Sequence, residues 1–137
     1  MKDRSGVFLL EVELPFLEIK RIAIVFELFC MGFGCNRRIL RVDLSKESVR
    51  LEEPEDVFYR RYFGGRGLIA YFLLRELEKG IEPFSAENKL IFACGPVTGA
   101  PVTGAGRHSI GAKSPLTGIL GDASGGGAFA SEVKFAG

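Results

Sequence analysis

Glycine is spread so unevenly along this chain that it constrains the fold before any motif is read. Of the 18 glycines, 15 fall from Gly64 onward. That half is shaped for tight turns and for close approach of its backbone to some other group, because glycine alone tolerates both at no steric cost. The first thirty residues have a different character, apolar and charged, with Gly6 as their single glycine.

A length of 137 residues suits one domain with a real core, and 47% hydrophobic residues exclude a disordered tail. The formal net charge of +1 sets up no broad field toward nucleic acid or an acidic partner, so any anion site must be local. Three cysteines, Cys30, Cys35 and Cys94, form no C-x-x-C pair and are odd in number. Neither a disulfide framework nor a closed zinc site is expected of them, and reduced thiols of a cytoplasmic protein are. No stretch reaches the roughly 18 uncharged apolar residues that a membrane helix needs. Residues 22–26 are bounded by Arg21 and Glu27, and Glu11, Glu13 and Glu18 interrupt any signal-peptide core. The expected localisation is cytoplasmic, with no membrane and no nucleic acid among the partners.

Residues 7–10 suit a strand, Pro15 interrupts the chain after them, and residues 19–29 fit a short helix or a strand equally well. Residues 39–44 alternate, with Leu40, Val42 and Leu44 on one face and Arg41 and Asp43 on the other. A second alternating run, 48–52, comes after a short polar turn, which predicts an antiparallel hairpin. Pro54-Glu55-Asp56 opens a short helix, and acidic residues suit its first turn. A glycine turn at 63–67 leads into a helix over 68–79 with Gly80 at its C-terminal cap. Residues 89–94 read as a buried strand. Residues 95–127 are mostly glycine, proline and small polar residues crossed by one strand, 109–112, and 129–135 open another helix or strand.

Two phosphate motifs are suggested and both fail on context. Gly65-Arg66-Gly67-Leu68-Ile69-Ala70 fits G-x-G-x-x-A, but Tyr59-Arg60-Arg61-Tyr62 before it is no buried parallel strand. Gly106 to Ser114 approaches a P-loop, but Ala112 separates Gly111 from Lys113 and Pro115 forbids the helix that should come next. His108, the single histidine, reads as a structural or surface residue, and no serine-histidine-acid set can be assembled around it. What remains is local anion-binding character. Arg107, Ser109, Lys113, Ser114, Ser124 and the amides of Gly125, Gly126 and Gly127 crowd one short span, where glycine turns make anion nests and arginine adds a bidentate fork.

Several runs in order resemble the N-terminal domain of tungsten-containing aldehyde ferredoxin oxidoreductases. They are Met31-Gly32-Phe33-Gly34 with Arg38-Ile39-Leu40-Arg41-Val42-Asp43-Leu44, Phe63-Gly64-Gly65-Arg66-Gly67-Leu68, Pro83-Phe84-Ser85-Ala86-Glu87-Asn88-Lys89-Leu90-Ile91-Phe92-Ala93, Gly95-Pro96-Val97-Thr98-Gly99, Lys113-Ser114-Pro115-Leu116-Thr117-Gly118 and Glu132-Val133-Lys134-Phe135-Ala136-Gly137. The resemblance covers 31–137. It leaves 1–30 as an unmatched extension whose expected origin is a start codon placed upstream of Met31, with a lineage-specific extension as the alternative.

The resemblance implies an α+β fold, a mainly antiparallel β platform with one or two helices, forming an incomplete half of that N-terminal domain. It implies oxidation of aldehydes to carboxylic acids with ferredoxin as electron acceptor. It further implies tungstopterin, tungsten held by the dithiolene sulfurs of two molybdopterins, and a [4Fe-4S] cluster whose ligands lie beyond this stretch. Residue by residue, Arg107 falls on a pterin-contacting arginine, Gly126 on a glycine whose backbone touches the cofactor, and Ser124 where asparagine is usual. Lys113 and Arg66 are further cofactor-side candidates, and no catalytic residue or metal ligand is assigned to this chain. The chain is therefore expected to contribute cofactor binding and to be inactive alone. The alternatives are a non-catalytic pterin- or phosphate-binding module, or one piece of a split enzyme docking on a separately encoded remainder.

Overall fold

A computed structural model describes residues 34–136 and the backbone of one earlier strand, β1 (Arg21–Val25). That strand settles residues 21–25 of the stretch that suited helix or strand equally. The expectation for residues 7–10 and the remainder of 19–29 lie outside the described residues. The expected hairpin is present as β2 (Ile39–Asp43) and β3 (Ser48–Glu52), in antiparallel register from Ile39 opposite Glu52 to Asp43 opposite Ser48. Its turn is pinned by the Asp43 carboxylate, which accepts hydrogen bonds from the amides of Ser45 and Lys46 at 3.1 and 3.2 Å.

Two helices come next, α1 (Asp56–Tyr62) and α2 (Arg66–Glu76), then β4 (Leu90–Cys94), β5 (His108–Lys113), β6 (Leu120–Gly125) and α3 (Phe129–Ala136). The six strands form one sheet in the order β3-β2-β1-β4-β5-β6. Every neighbouring pair is antiparallel except β1 and β4, which run parallel. The α+β, mainly antiparallel expectation holds, and α3 resolves the choice left open for 129–135. β6 was not legible as a strand, because Gly121 and Gly125 dilute its pattern and its residues stay largely exposed at the sheet edge.

Helix α2 lies on one face of the sheet and makes the core. Leu68 and Ile69, one turn before Phe72 and Leu73, form its buried side and pack against Ile39, Ile91 and Ala93. Burial of each large side chain contributes roughly 2 kcal/mol. The strand beneath leaves no room to spare: a Cβ on Gly111 would sit 2.3 Å from Ile69 Cγ2. An aromatic cluster of Phe58, Tyr62 and Tyr71, with Tyr62 and Tyr71 ring centroids 4.3 Å apart, joins α1 to α2. Phe92 and Cys94 alternate with Ile91 and Ala93 along β4 and so face the other side, where α3 packs through Phe129 and Ala130. Buried Lys134 ties α3 down by donating to the carbonyls of Gly95 and Pro96 at 2.9 and 2.7 Å.

The helix expected over 68–79 with a Gly80 cap is displaced toward the N-terminus. Gly65, at φ 52° and ψ −132°, lets the helix begin at Arg66, and Leu77 is extended at φ −89° and ψ 131°. Gly80, at φ 86°, serves the turn beyond instead. The helix stops where Glu76 is captured. Arg41 donates two hydrogen bonds to the Glu76 carboxylate at 2.8 and 2.6 Å, Lys89 pairs with the same carboxylate, and the Arg41 guanidinium lies 5.1 Å from the Phe72 ring centroid. Arg41 Nε also lies 2.9 Å from Glu52 Oε2, an ion pair whose N–H is not aligned as a hydrogen bond. The polar face of β2 is thus the face under the helix, made tolerable because its charge is paired there.

Burial pushes the Glu76 carboxyl up, but hydrogen bonds from Arg41 and Lys89 outweigh it and hold the group below its ordinary value. A carboxyl depressed in the folded state stabilises fully above its unfolded pKa and loses that contribution as pH falls through the folded value. Glu76→Gln is expected to lower stability by about 1–3 kcal/mol at neutral pH. It should also flatten the loss of stability that begins as pH falls below 4.5, checked by urea unfolding of both proteins across acid pH.

Candidate functional site

A tight reversal lies between α1 and α2. Phe63, Gly64 and Gly65 take positive φ in succession, at 58°, 98° and 52°. The reversal presses Gly64 so close to the end of β4 that a Cβ there would fall 2.4 Å from the Cys94 carbonyl oxygen. The Gly65 amide donates to that same oxygen at 3.0 Å. This contact seats the N-terminus of α2 over the C-terminal end of β4, beside the start of β5 and the end of β6.

A cleft of about 230 Å³ opens there, lined by residues that include Gly65, Gly95, Thr98, Arg107, His108, Ser109 and Ser124. Thr98 builds its wall: the buried hydroxyl donates to the Arg107 carbonyl at 2.8 Å and accepts from the Gly95 amide at 2.9 Å. That staple sets the backbone from which the exposed Arg107 side chain projects. Ser109 and Ser124 are directly paired across β5 and β6, so both hydroxyl-bearing positions share the α2 face. The His108 ring packs 5.2 Å from the Phe129 ring, with Nδ1 buried and without a hydrogen-bond partner. Gly125 makes room for it, since a Cβ there would lie 2.6 Å from His108 Cε1.

Among the described residues lining the cleft, Arg107 carries the one permanent charge, and no carboxylate opposes it. A guanidinium, two serine positions, glycine amides and the positive end of an 11-residue helix together make a setting that suits an anion. The volume is below the roughly 300–1,000 Å³ that encloses a whole drug-sized ligand, so the cleft suits one polar arm of a larger group.

The structure gathers Arg107 and Ser124 at this cleft and places Gly126 just past the end of β6, with open space about its Cα. It does not bring Lys113 there. Lys113 ends β5, five residues and about 16 Å from His108, and its ammonium donates to the Ile81 carbonyl. Arg66 pairs with Asp122 on β6 and projects mostly into solvent. Thr98 went unnoticed as a site residue, and Gly65 and His108 were weighed and set aside, Gly65 with a dinucleotide motif that fails on context and His108 as a structural or surface residue. The hydroxyl of Thr98 looked like one more small polar residue in a loop, and a lone histidine carries no spacing signal.

A second cleft, about 350 Å³, lies at the hairpin and is lined by Arg41, Lys46, Arg50 and Lys89. Its charge is largely spent, because Glu76 binds both Arg41 and Lys89.

The family model described as "Aldehyde ferredoxin oxidoreductase, N-terminal domain" matches residues 39–137, which carry five of the six strands and all three helices. The chain belongs to this family. It is 48% identical over 105 residues to the tungsten-containing aldehyde ferredoxin oxidoreductase of Pyrococcus horikoshii, covering 77% of this chain and 17% of that protein. The Pyrococcus furiosus enzyme of the same name is 44% identical over the same length. An aliphatic sulfonate oxidoreductase, WOR-like subunit, from Pyrococcus furiosus is 38% identical over 71 residues, covering 49% of this chain and 11% of that protein. Among solved structures, the active site complex BamBC of benzoyl coenzyme A reductase matches with a TM-score of 0.66 and 31% identity, over 85% of this chain and 15% of that one. The chain therefore spans about a sixth of the length of the oxidoreductases it matches.

The aldehyde ferredoxin oxidoreductase family match includes the whole cleft and the α2 seat. Gly64→Ala is expected to destabilise the chain by about 2–3 kcal/mol, because its left-handed φ and its approach to Cys94 both disfavour a side chain. Thermal unfolding checks the loss, and a smaller effect of Gly126→Ala, which meets open space, gives the contrast.

Proposed function

We propose that this chain supplies part of the cofactor cradle of a tungstopterin-dependent oxidoreductase that converts aldehydes to carboxylic acids and passes the electrons to ferredoxin. The observation that carries this reading is the Arg107 guanidinium, unopposed by a carboxylate among the described lining residues, at a small cleft walled by glycine amides, Ser109, Ser124 and the start of α2.

The residues present fit the polar periphery of such a cofactor. Arg107 offers a forked donor to a phosphate or a pterin carbonyl, the Ser124 hydroxyl offers one donor, and the amides near Gly126 offer more. Among the described residues no cluster of three or more His, Cys, Asp or Glu side chains gathers. Cys35 and Cys94 are buried thiols, Cys94 lying against the Ala130 carbonyl at 3.6 Å. When bound, tungstopterin supplies the two-electron redox chemistry. The part played by this chain is to hold its anionic edge, to orient it through the rigid β4–β5–β6 ladder, and to keep Arg107 on a backbone fixed by Thr98. Lys113 and Arg66 support the cradle from a distance, Lys113 by tying β5 to the loop at Ile81 and Arg66 by tying α2 to β6.

The reading holds that the chain does not catalyse alone. Catalysis would need the remainder of the enzyme, either in one polypeptide or as a separately encoded chain, and the WOR-like relative that is named a subunit favours giving the second arrangement a place beside the first.

Titration with a pterin monophosphate, followed by calorimetry, is expected to show binding that Arg107→Met weakens by at least tenfold, or about 1.4 kcal/mol. Arg66→Met should change it less than twofold. Equal affinity of the Arg107→Met and unaltered proteins contradicts the assignment of the cradle. Separately, the chain mixed with tungstopterin, ferredoxin and an aldehyde is expected to produce no carboxylic acid above background.

A further inference from the structure

Lys134 is 3% exposed, and burial of an ammonium costs solvation that the groups it binds must offset. Its Nζ donates to the carbonyls of Gly95 and Pro96 at 2.9 and 2.7 Å. Its own backbone carbonyl accepts from Asn36 Nδ2 at 2.9 Å, so the residue is held at both ends. Ala130, one turn earlier on α3, is fully buried, with the Cys94 thiol against its carbonyl at 3.6 Å. Lys134 does not line the Arg107 cleft, but Gly95 and Val97, which flank the Pro96 carbonyl it holds, do.

Gly95-Pro96-Val97-Thr98 is a β-turn, closed by the Thr98 amide donating to the Gly95 carbonyl at 3.0 Å. Proline presets the second position of such a turn. The peptide between Pro96 and Val97 is the central one, and its two opposite orientations separate type I from type II turns. Type II requires positive φ at the third position, which Val97 does not have. Lys134 adds a second hold on the same orientation. In a planar trans peptide the N–H points opposite to the carbonyl before it, so an ammonium on the Pro96 oxygen leaves the Val97 N–H directed away from Lys134. That N–H donates to no group among the described residues, and Val97 is 67% exposed. A charged donor on the carbonyl also polarises the peptide and strengthens the N–H at its other end.

We propose that Lys134 is a positioning residue of the anion site. From the far side of the turn it fixes and polarises the Pro96–Val97 peptide, and the Val97 amide is a ligand donor beside Arg107. The proposal rests on the reading of the Arg107 cleft as the anion site. It adds a backbone donor to that site and makes α3, which touches no ligand there, part of its construction.

Titration of the full chain with inorganic pyrophosphate, followed by NMR at the backbone amides and at the arginine Nε–H groups, tests it. The Val97 amide is expected to move downfield together with the Arg107 Nε–H. Movement at Arg107 with Val97 unmoved overturns this proposal and leaves the reading of the cleft standing. An absence of movement at both overturns the two together. Lys134→Met keeps most of the side chain's length and removes its donor. It is expected to weaken pyrophosphate binding by about fivefold or more, the loss of a charge-assisted hold on the turn. In that variant the Val97 response is expected to disappear while the Arg107 response persists. Unaltered affinity with an unaltered Val97 response overturns the proposal. Loss of the Val97 and Arg107 responses together, as a general loosening of the loop would give, overturns the positioning role.

Discussion

The structure depends on the seat of α2 against the end of β4. Gly64 meets the Cys94 carbonyl at a distance no side chain would permit, the Gly65 amide donates to the same oxygen, and that seat sets both the height and the direction of the helix. The same geometry has two consequences. The buried side of α2 falls on Ile39, Ile91 and Ala93 and closes the core. The open N-terminus of α2 falls beside Arg107, Ser109 and Ser124 and makes an anion-seeking cleft. Core and cleft are two ends of one helix, so the cleft inherits the rigidity of the core.

The far end of α2 is held differently. Where the N-terminus is fixed by backbone contact, the C-terminus is fixed by charge, with Glu76 shared between Arg41 of β2 and Lys89 just before β4. The pairing spans the slot that β1 occupies, since Arg41 and Lys89 belong to opposite walls. Burial of these groups costs solvation, and the bidentate geometry and the Phe72 ring offset that cost. The arrangement draws the hairpin toward the ladder, and it neutralises much of the hairpin cleft, so that Arg107 is the better placed cation to meet an anionic ligand.

Much of this was legible in the residues. Alternation exposed β2 and β3, and an apolar run exposed β4, because a strand half-covered by a helix sorts its residues by face and an enclosed one does not. The resemblance located Arg107, Ser124 and Gly126 on one stretch, and the structure brings Arg107 and Ser124 to one cleft. Other parts were hidden for physical reasons. β6 is an exposed edge strand containing Gly121, Asp122 and Gly125, so no burial pattern is imprinted on it. The start of α2 was masked because Gly65 and Gly67 look like turn residues, although Gly67 is helical and is required by the approach of the Tyr62 carbonyl. Lys113 is close to Arg107 in sequence but lies at the far end of β5 from it, since six residues of extended chain carry it to the opposite end of the ladder. The central place of Arg21–Val25 was invisible because strand pairing across long separation leaves no local signal.

The central claim is that the anion site lies at the Arg107 cleft and not at the more densely basic hairpin cleft. The most direct measurement is a two-dimensional amide NMR titration of the intact chain with inorganic pyrophosphate. Shifts concentrated at Gly65, Gly95, Thr98, Arg107 and Ser124 are the result this account predicts. Shifts concentrated at Asp43, Lys46, Arg50 and Lys89, with the first set unmoved, would contradict it.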